Sequence, residues 1–126
     1  MVEVVVGVVK SGGRYARAEL VIKAGGRQAK FSVEMSYTVK IQFNSSNREA
    51  AEEAAALLKE AGVEAELKNY WDKSVNREKW YIKTSIDKLA AARKELREAL
   101  AQAIREAEKK GLVDSEKAKT WLQKLQ

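Results

Sequence analysis

Apolar and polar side chains alternate without interruption over residues 29–43. Ala29, Phe31, Val33, Met35, Tyr37, Val39, Ile41 and Phe43 fall on one side; Lys30, Ser32, Glu34, Ser36, Thr38, Lys40 and Gln42 fall on the other. A period of two predicts a strand with one buried and one solvated face. At about 3.3 Å per residue it would span roughly 50 Å, well beyond the ordinary strand of about five or six residues. It must therefore bend, carry a bulge or serve as the spine of the sheet. Residues 2–9 are valine-rich, with Val2, Val4, Val6 and Val8 on one face and Val5 and Val9 sharing the other with Glu3 and Gly7. Such a strand needs cover on both faces, or a partner chain on the second. Ser11-Gly12-Gly13 signals a hairpin. Residues 14–23 form the next strand, with Ala16, Ala18, Leu20 and Ile22 inward and Tyr15, Arg17, Glu19, Val21 and Lys23 outward. Gly25-Gly26 turns the chain into the long strand.

After Phe43 the period changes. Ser46-Asn47-Arg48-Glu49 reads as a capping box, followed by the helical stripe Ala50, Ala54, Leu57, Leu58, Ala61 and a left-handed C-cap at Gly62. Residues 63–71 alternate again, 72–78 form a polar loop, and 79–84 return as a strand. Thr84 or Ser85 then caps a long helix whose buried stripe is Leu89, Ala92, Leu96, Ala99, Leu100, Ala103, Ile104 and Ala107, ended by Gly111. Asp114 caps a last helix with Ala118, Trp121, Leu122 and Leu125 on its buried edge. The order is βββαββαα, which predicts an α+β domain over residues 1–126: a mostly antiparallel five-stranded sheet with helices packed on one face.

Composition narrows the chemistry. Of 126 residues, 45% are hydrophobic and 33% charged, as in a soluble globular protein. No apolar run is long enough to cross a membrane. The opening Met1-Val2-Glu3 enters a strand pattern without a secretion signal, so a cytoplasmic protein is expected. Cysteine, histidine and proline are absent. The chain therefore has no thiolate zinc site, no cysteine nucleophile, no serine–histidine triad and no histidine–metal centre. A non-catalytic protein without metal or cofactor is expected. The lack of proline, with helices rich in Ala, Glu, Lys and Arg, suits a thermophilic protein or a designed sequence. The net charge of +6 is uneven: residues 1–44 carry seven basic and three acidic side chains, 45–85 seven and eight, and 86–126 ten and seven. A basic sheet permits polyanion binding, although a solvated lysine-rich surface has the same composition.

The glycine pairs form no phosphate-binding signature and are explained as turns. Glu19 and Glu34 share the wet face of neighbouring strands, but the cations around them favour ion pairing over a metal site. Tyr70-Trp71 and Trp80-Tyr81 flank the second hairpin loop among Lys68, Lys73, Arg77, Lys79 and Lys83. Alternation turns one ring of each doublet outward, where Tyr81 or Trp71 can stack on a base; otherwise both tryptophans anchor the last helices.

The segment from Gly111 to Leu125, GLVDSEKAKTWLQKL, together with Leu89-Ala90-Ala91, resembles the paralogous-repeat (PaRep-type) proteins of hyperthermophilic crenarchaea. That resemblance implies no biochemical role. More distantly, Lys40-Ile41-Gln42-Phe43, Leu57-Leu58, Gly62-Val63 and Trp80-Tyr81-Ile82 are similar to the sheet-and-helix half of LAGLIDADG homing endonucleases. This implies a curved sheet that saddles DNA. The motif acid of those enzymes has no counterpart here, which argues against nuclease activity.

The functional expectation is a non-catalytic nucleic-acid-binding module, with duplex DNA as the partner. Arg17, Lys23, Lys30, Lys40 and Lys83 would meet phosphates, Gln42, Thr38 and Ser32 would meet base or sugar edges, and Tyr81 would stack. The competing expectations are a homodimeric interaction or scaffold protein, joined through Val5, Val9 and Val21, and a designed fold without natural function.

Overall fold

A computed structural model describes all of residues 1–126. The chain runs β1 (Glu3–Val6), β2 (Lys10–Ser11), β3 (Ala16–Ala24), β4 (Arg27–Met35), β5 (Val39–Ser45), α1 (Arg48–Glu60), β6 (Lys68–Asp72), β7 (Arg77–Ser85), α2 (Ile86–Leu89), α3 (Lys94–Lys109) and α4 (Ser115–Lys124). All strands join one antiparallel sheet in the order β1-β3-β4-β5-β7-β6, with β2 also paired to β3. Helix α1 lies against β3, β4, β5 and β7, α3 lies against β1, and α4 packs on α3 and α2. The α+β class and the one-sided helical layer stand as expected; the sheet has seven strands rather than five. No helix is long and apolar enough to cross a membrane.

The fifteen-residue alternation is two strands. Residues 36–38 fold it into a hairpin in which Met35 faces Val39, Val33 faces Ile41 and Ser32 faces Gln42. The turn contains three residues, so each inward position of β4 pairs with an inward position of β5 and the period of two passes through the bend unchanged. Tyr37, expected inside, stands at the apex and is 92% exposed. From α4, Lys117 reaches the turn, its Nζ 5.2 Å from the Tyr37 ring centroid.

A bulge re-aims the valines of the first segment. From Val6 to Lys10 the chain takes four steps while β3 takes three, from Leu20 to Arg17. The extra residue flips the parity: Val8 turns outward and Val9, only 1% exposed, enters the core. Helix α3 satisfies the backbone groups displaced there. Val9 N–H donates to Glu106 Oε2 at 2.7 Å, and Lys110 Nζ donates to the Val9 carbonyl at 2.7 Å. The expected dimer surface of Val5, Val9 and Val21 is thereby corrected, because Val9 is interior; Val5 and Val21 face each other across β1 and β3.

The helix boundaries follow local chemistry with two corrections. Asn47, one residue after Ser46, caps α1 by accepting from Ala50 N at 3.1 Å, and the Ser45 hydroxyl accepts from Asn47 N. Gly62 ends that helix at φ 87°, with Gly62 N donating to Lys59 O and Val63 N to Leu58 O. Gly111 ends α3 the same way at φ 73°, with bonds to Glu108 O and Ala107 O. The long helix expected from Ser85 is broken. α2 stops at Leu89, and at the start of α3 Arg93 N–H bonds the Ala61 carbonyl at the end of α1 (2.8 Å). Thr84 belongs to β7, its hydroxyl buried without a hydrogen-bond partner, and Ser85 makes no side-chain cap. Residues 63–67 are irregular, so β6 begins only at Lys68. The core is a cluster of 31 buried residues between the inner sheet face and the helices.

Candidate functional site

The outer face of the sheet carries no helix. Its side chains are set by the register in two rows: Arg17, Glu34, Lys40 and Ser85 across β3, β4, β5 and β7, and beside it Glu19, Ser32, Gln42 and Lys83. On the β6–β7 hairpin, Lys68 pairs with Tyr81 and Tyr70 with Lys79, which places both tyrosines on this face. The tyrosine rings meet edge to face, centroids 5.6 Å apart at 69°. Tyr70 Oη accepts a bond from Asn44 Nδ2 at 3.2 Å.

These residues form a cleft of about 610 Å³ whose walls include Tyr15, Arg17, Gln42, Asn44, Tyr70 and Tyr81. A second cleft of about 400 Å³ is lined by Lys40, Lys68, Lys83, Lys88 and Glu66. Tyr81 and Lys83 line both. A Cβ at Gly12 would overlap Arg17 Cδ, so a side chain there would displace that of Arg17.

Electrostatics sorts the expected cations. Lys30 pairs with Glu19 at 3.9 Å, Lys79 with Asp72 at 3.3 Å, and Lys68 with Glu66 at 3.9 Å. Arg17, Lys23, Lys40 and Lys83 enter none of the ion pairs. Glu34 accepts from Gln42 Nε2 at 3.4 Å. Glu19 and Glu34 are not cross-strand neighbours, since Glu19 faces Ser32 and Glu34 faces Arg17, and no group of three or more acidic side chains is placed to hold a metal ion. At the end of β6, Asp72 accepts from the Ser74 hydroxyl (2.6 Å) and amide (3.0 Å). These bonds, with Lys79 behind them, hold its carboxyl below its ordinary value. Their contribution is present above the ordinary carboxylate range and fades as pH falls through it.

The expected set is thus divided. Arg17, Ser32, Gln42, Tyr81 and Lys83 converge on the larger cleft, and Lys40 joins Tyr81 and Lys83 in the smaller. Lys30 is engaged by Glu19. Lys23 lies at the opposite end of β3, six residues and about 20 Å from Arg17. Thr38 sits in the β4–β5 turn, its carbonyl accepting from Ser36 N. Neither tryptophan of the second hairpin is an anchor for the last helices: Trp71 is 58% exposed, Trp80 is half-buried, and Trp121 of α4 is the buried one. Tyr15, Asn44, Tyr70 and Lys68 belong to the site and were not among the expected residues. Their signal was parity, since Tyr15 shares the face of Arg17, and Asn44 that of Gln42.

No curated protein and no solved structure matches the chain. The model of the PaRep2b protein family matches residues 1–126, the whole length, and the chain belongs to that family.

Proposed function

We propose that the open face of the sheet binds nucleic acid without catalysing a reaction on it. The observation that carries this reading is the grouping of Arg17, Lys40 and Lys83, all free of ion pairs, around two adjoining clefts that share Tyr81, with Tyr70 against it in the larger. Phosphates suit these cations, and polar groups such as Gln42, Asn44 and Ser32 suit sugar or base edges. Three phosphate contacts, from Arg17, Lys40 and Lys83, correspond to a slope of log affinity against log salt of about −2 to −3. The segments similar to the LAGLIDADG sheet, 40–43 and 80–82, lie side by side here, with Gln42 facing Lys83 and Phe43 facing Ile82. That adjacency supports a nucleic-acid-facing surface on this side of the molecule.

The test is fluorescence polarisation with a labelled random oligonucleotide at low and moderate salt. Binding at low salt that weakens with the stated slope is expected, as is its loss in the double variant Arg17→Glu, Lys83→Glu. Negligible affinity at low salt, or affinity indifferent to salt, would overturn the reading.

A further inference from the structure

From the shape of the larger cleft we infer that the preferred ligand is an unpaired strand, with one base lodged against Tyr70 and Tyr81. This rests on the nucleic-acid reading above and names its ligand class. Duplex recognition by a long ribbon requires a projecting two-stranded ribbon, free of further strands at its edges, to enter the major groove. The candidate ribbon is instead folded at residues 36–38 into two strands of nine and seven residues, both held inside the sheet by neighbours on either side.

What the face offers is a recess. Its volume of about 610 Å³ is enough for a flattened aromatic ligand such as a nucleobase. The tyrosine pair meets edge to face, and that geometry leaves ring surface free where a parallel stack would cover one side of each ring. The bond from Asn44 to the Tyr70 hydroxyl restrains one ring before any ligand arrives. Gln42, Asn44 and Glu34 stand at the wall with amide and carboxylate groups that match the donor and acceptor edge of a base. Tyr81 and Lys83 are shared with the lysine-lined cleft, so a base in the first recess leaves its own phosphate beside Lys40, Lys68 and Lys83. Bases locked in a duplex cannot enter such a recess without being extruded from the stack.

The experiment is polarisation at one low salt concentration with three labelled probes of equal length: a mixed-sequence single strand, the corresponding duplex, and an abasic strand. The native chain is compared with Tyr70→Leu, Tyr81→Leu and Tyr81→Phe, each verified as folded by its thermal unfolding. The single strand is expected to bind roughly tenfold tighter than the duplex or the abasic strand. Tyr81→Phe keeps that margin; Tyr81→Leu and Tyr70→Leu remove most of it, bringing single-strand affinity towards that for the duplex. Equal binding of the three probes, or an unchanged margin in both leucine variants, overturns the inference and leaves the nucleic-acid reading intact. Failure of every probe to bind overturns both.

Discussion

At the scale of single residues, the two helix-terminating glycines look alike in sequence and differ in what surrounds them. Both have left-handed backbones that satisfy the last carbonyls of a helix. A Cβ at Gly111 would meet open space, whereas one at Gly62 would fall 2.9 Å from the Arg93 backbone nitrogen. Gly111→Ala is therefore expected to cost only the conformational penalty of about 1–2 kcal/mol. Gly62→Ala should cost clearly more, because Arg93 N–H is bonded to the neighbouring Ala61 carbonyl and that bond cannot survive a shift. Urea unfolding of the two variants gives the comparison, and equal losses would contradict it. The Asn47 cap makes the same point. Ser45, Ser46 and Asn47 are all competent cap residues, and the choice among them depends on where β5 ends and how its last turn meets the helix.

At the scale of elements, the bulge between Val6 and Lys10 and α3 form one unit. The bulge displaces the Val9 amide and carbonyl from the ladder, and Glu106 and Lys110, one helical turn apart, receive them. The spacing of Glu106 and Lys110 alone reads as an ordinary surface pair of small value. Their joint contact with Val9 gives them a different weight. Glu106→Ala orphans a part-buried amide and is expected to cost about 1–3 kcal/mol. Removing Glu98, which pairs with Lys94 on the exposed side of the same helix, should cost less than about 0.5 kcal/mol. Chemical denaturation of both variants, with amide exchange followed at Val9, distinguishes these outcomes; faster exchange at Val9 is expected only for Glu106→Ala. The β4–β5 hairpin adds the converse lesson. Its alternation was fully legible from residue 29 to residue 43, yet the fold point was not, because a three-residue turn preserves parity.

At the scale of the whole molecule, the sheet divides the chain into a dry side and a wet side. The inner face packs alanines, leucines and isoleucines against α1 and α3, while the outer face carries most of the strands' charge. Arg17 and Lys83 form no ion pair, although Arg17 faces Glu34 across β3 and β4. The variant Arg17→Glu, Lys83→Glu sets a carboxylate opposite Glu34 and is expected to lose no more than about 1 kcal/mol relative to the native chain in a denaturant titration. A large loss of stability would show that these cations serve the fold, and any binding defect of that variant would then be structural.

The amino-acid sequence by itself determined the α+β class, the facing of nearly every strand residue, the Asp114 cap and the glycine ends of α1 and α3. Each of these follows from interactions reaching no further than a few residues, so a local pattern carries them in full. Tertiary structure alone decided the fold at residues 36–38, the inward turn of Val9, the break between α2 and α3, and which outward residues meet in the cleft. Arg17, Gln42, Tyr70 and Tyr81 come together only through pairings of β3 with β4, β4 with β5, β5 with β7 and β7 with β6. A one-residue change of register in any of these would send the side chains to the other face; hairpin turns set the register of β3 with β4, β4 with β5 and β6 with β7, but no short-range pattern specifies that of β5 with β7, which α1 and β6 separate in the chain.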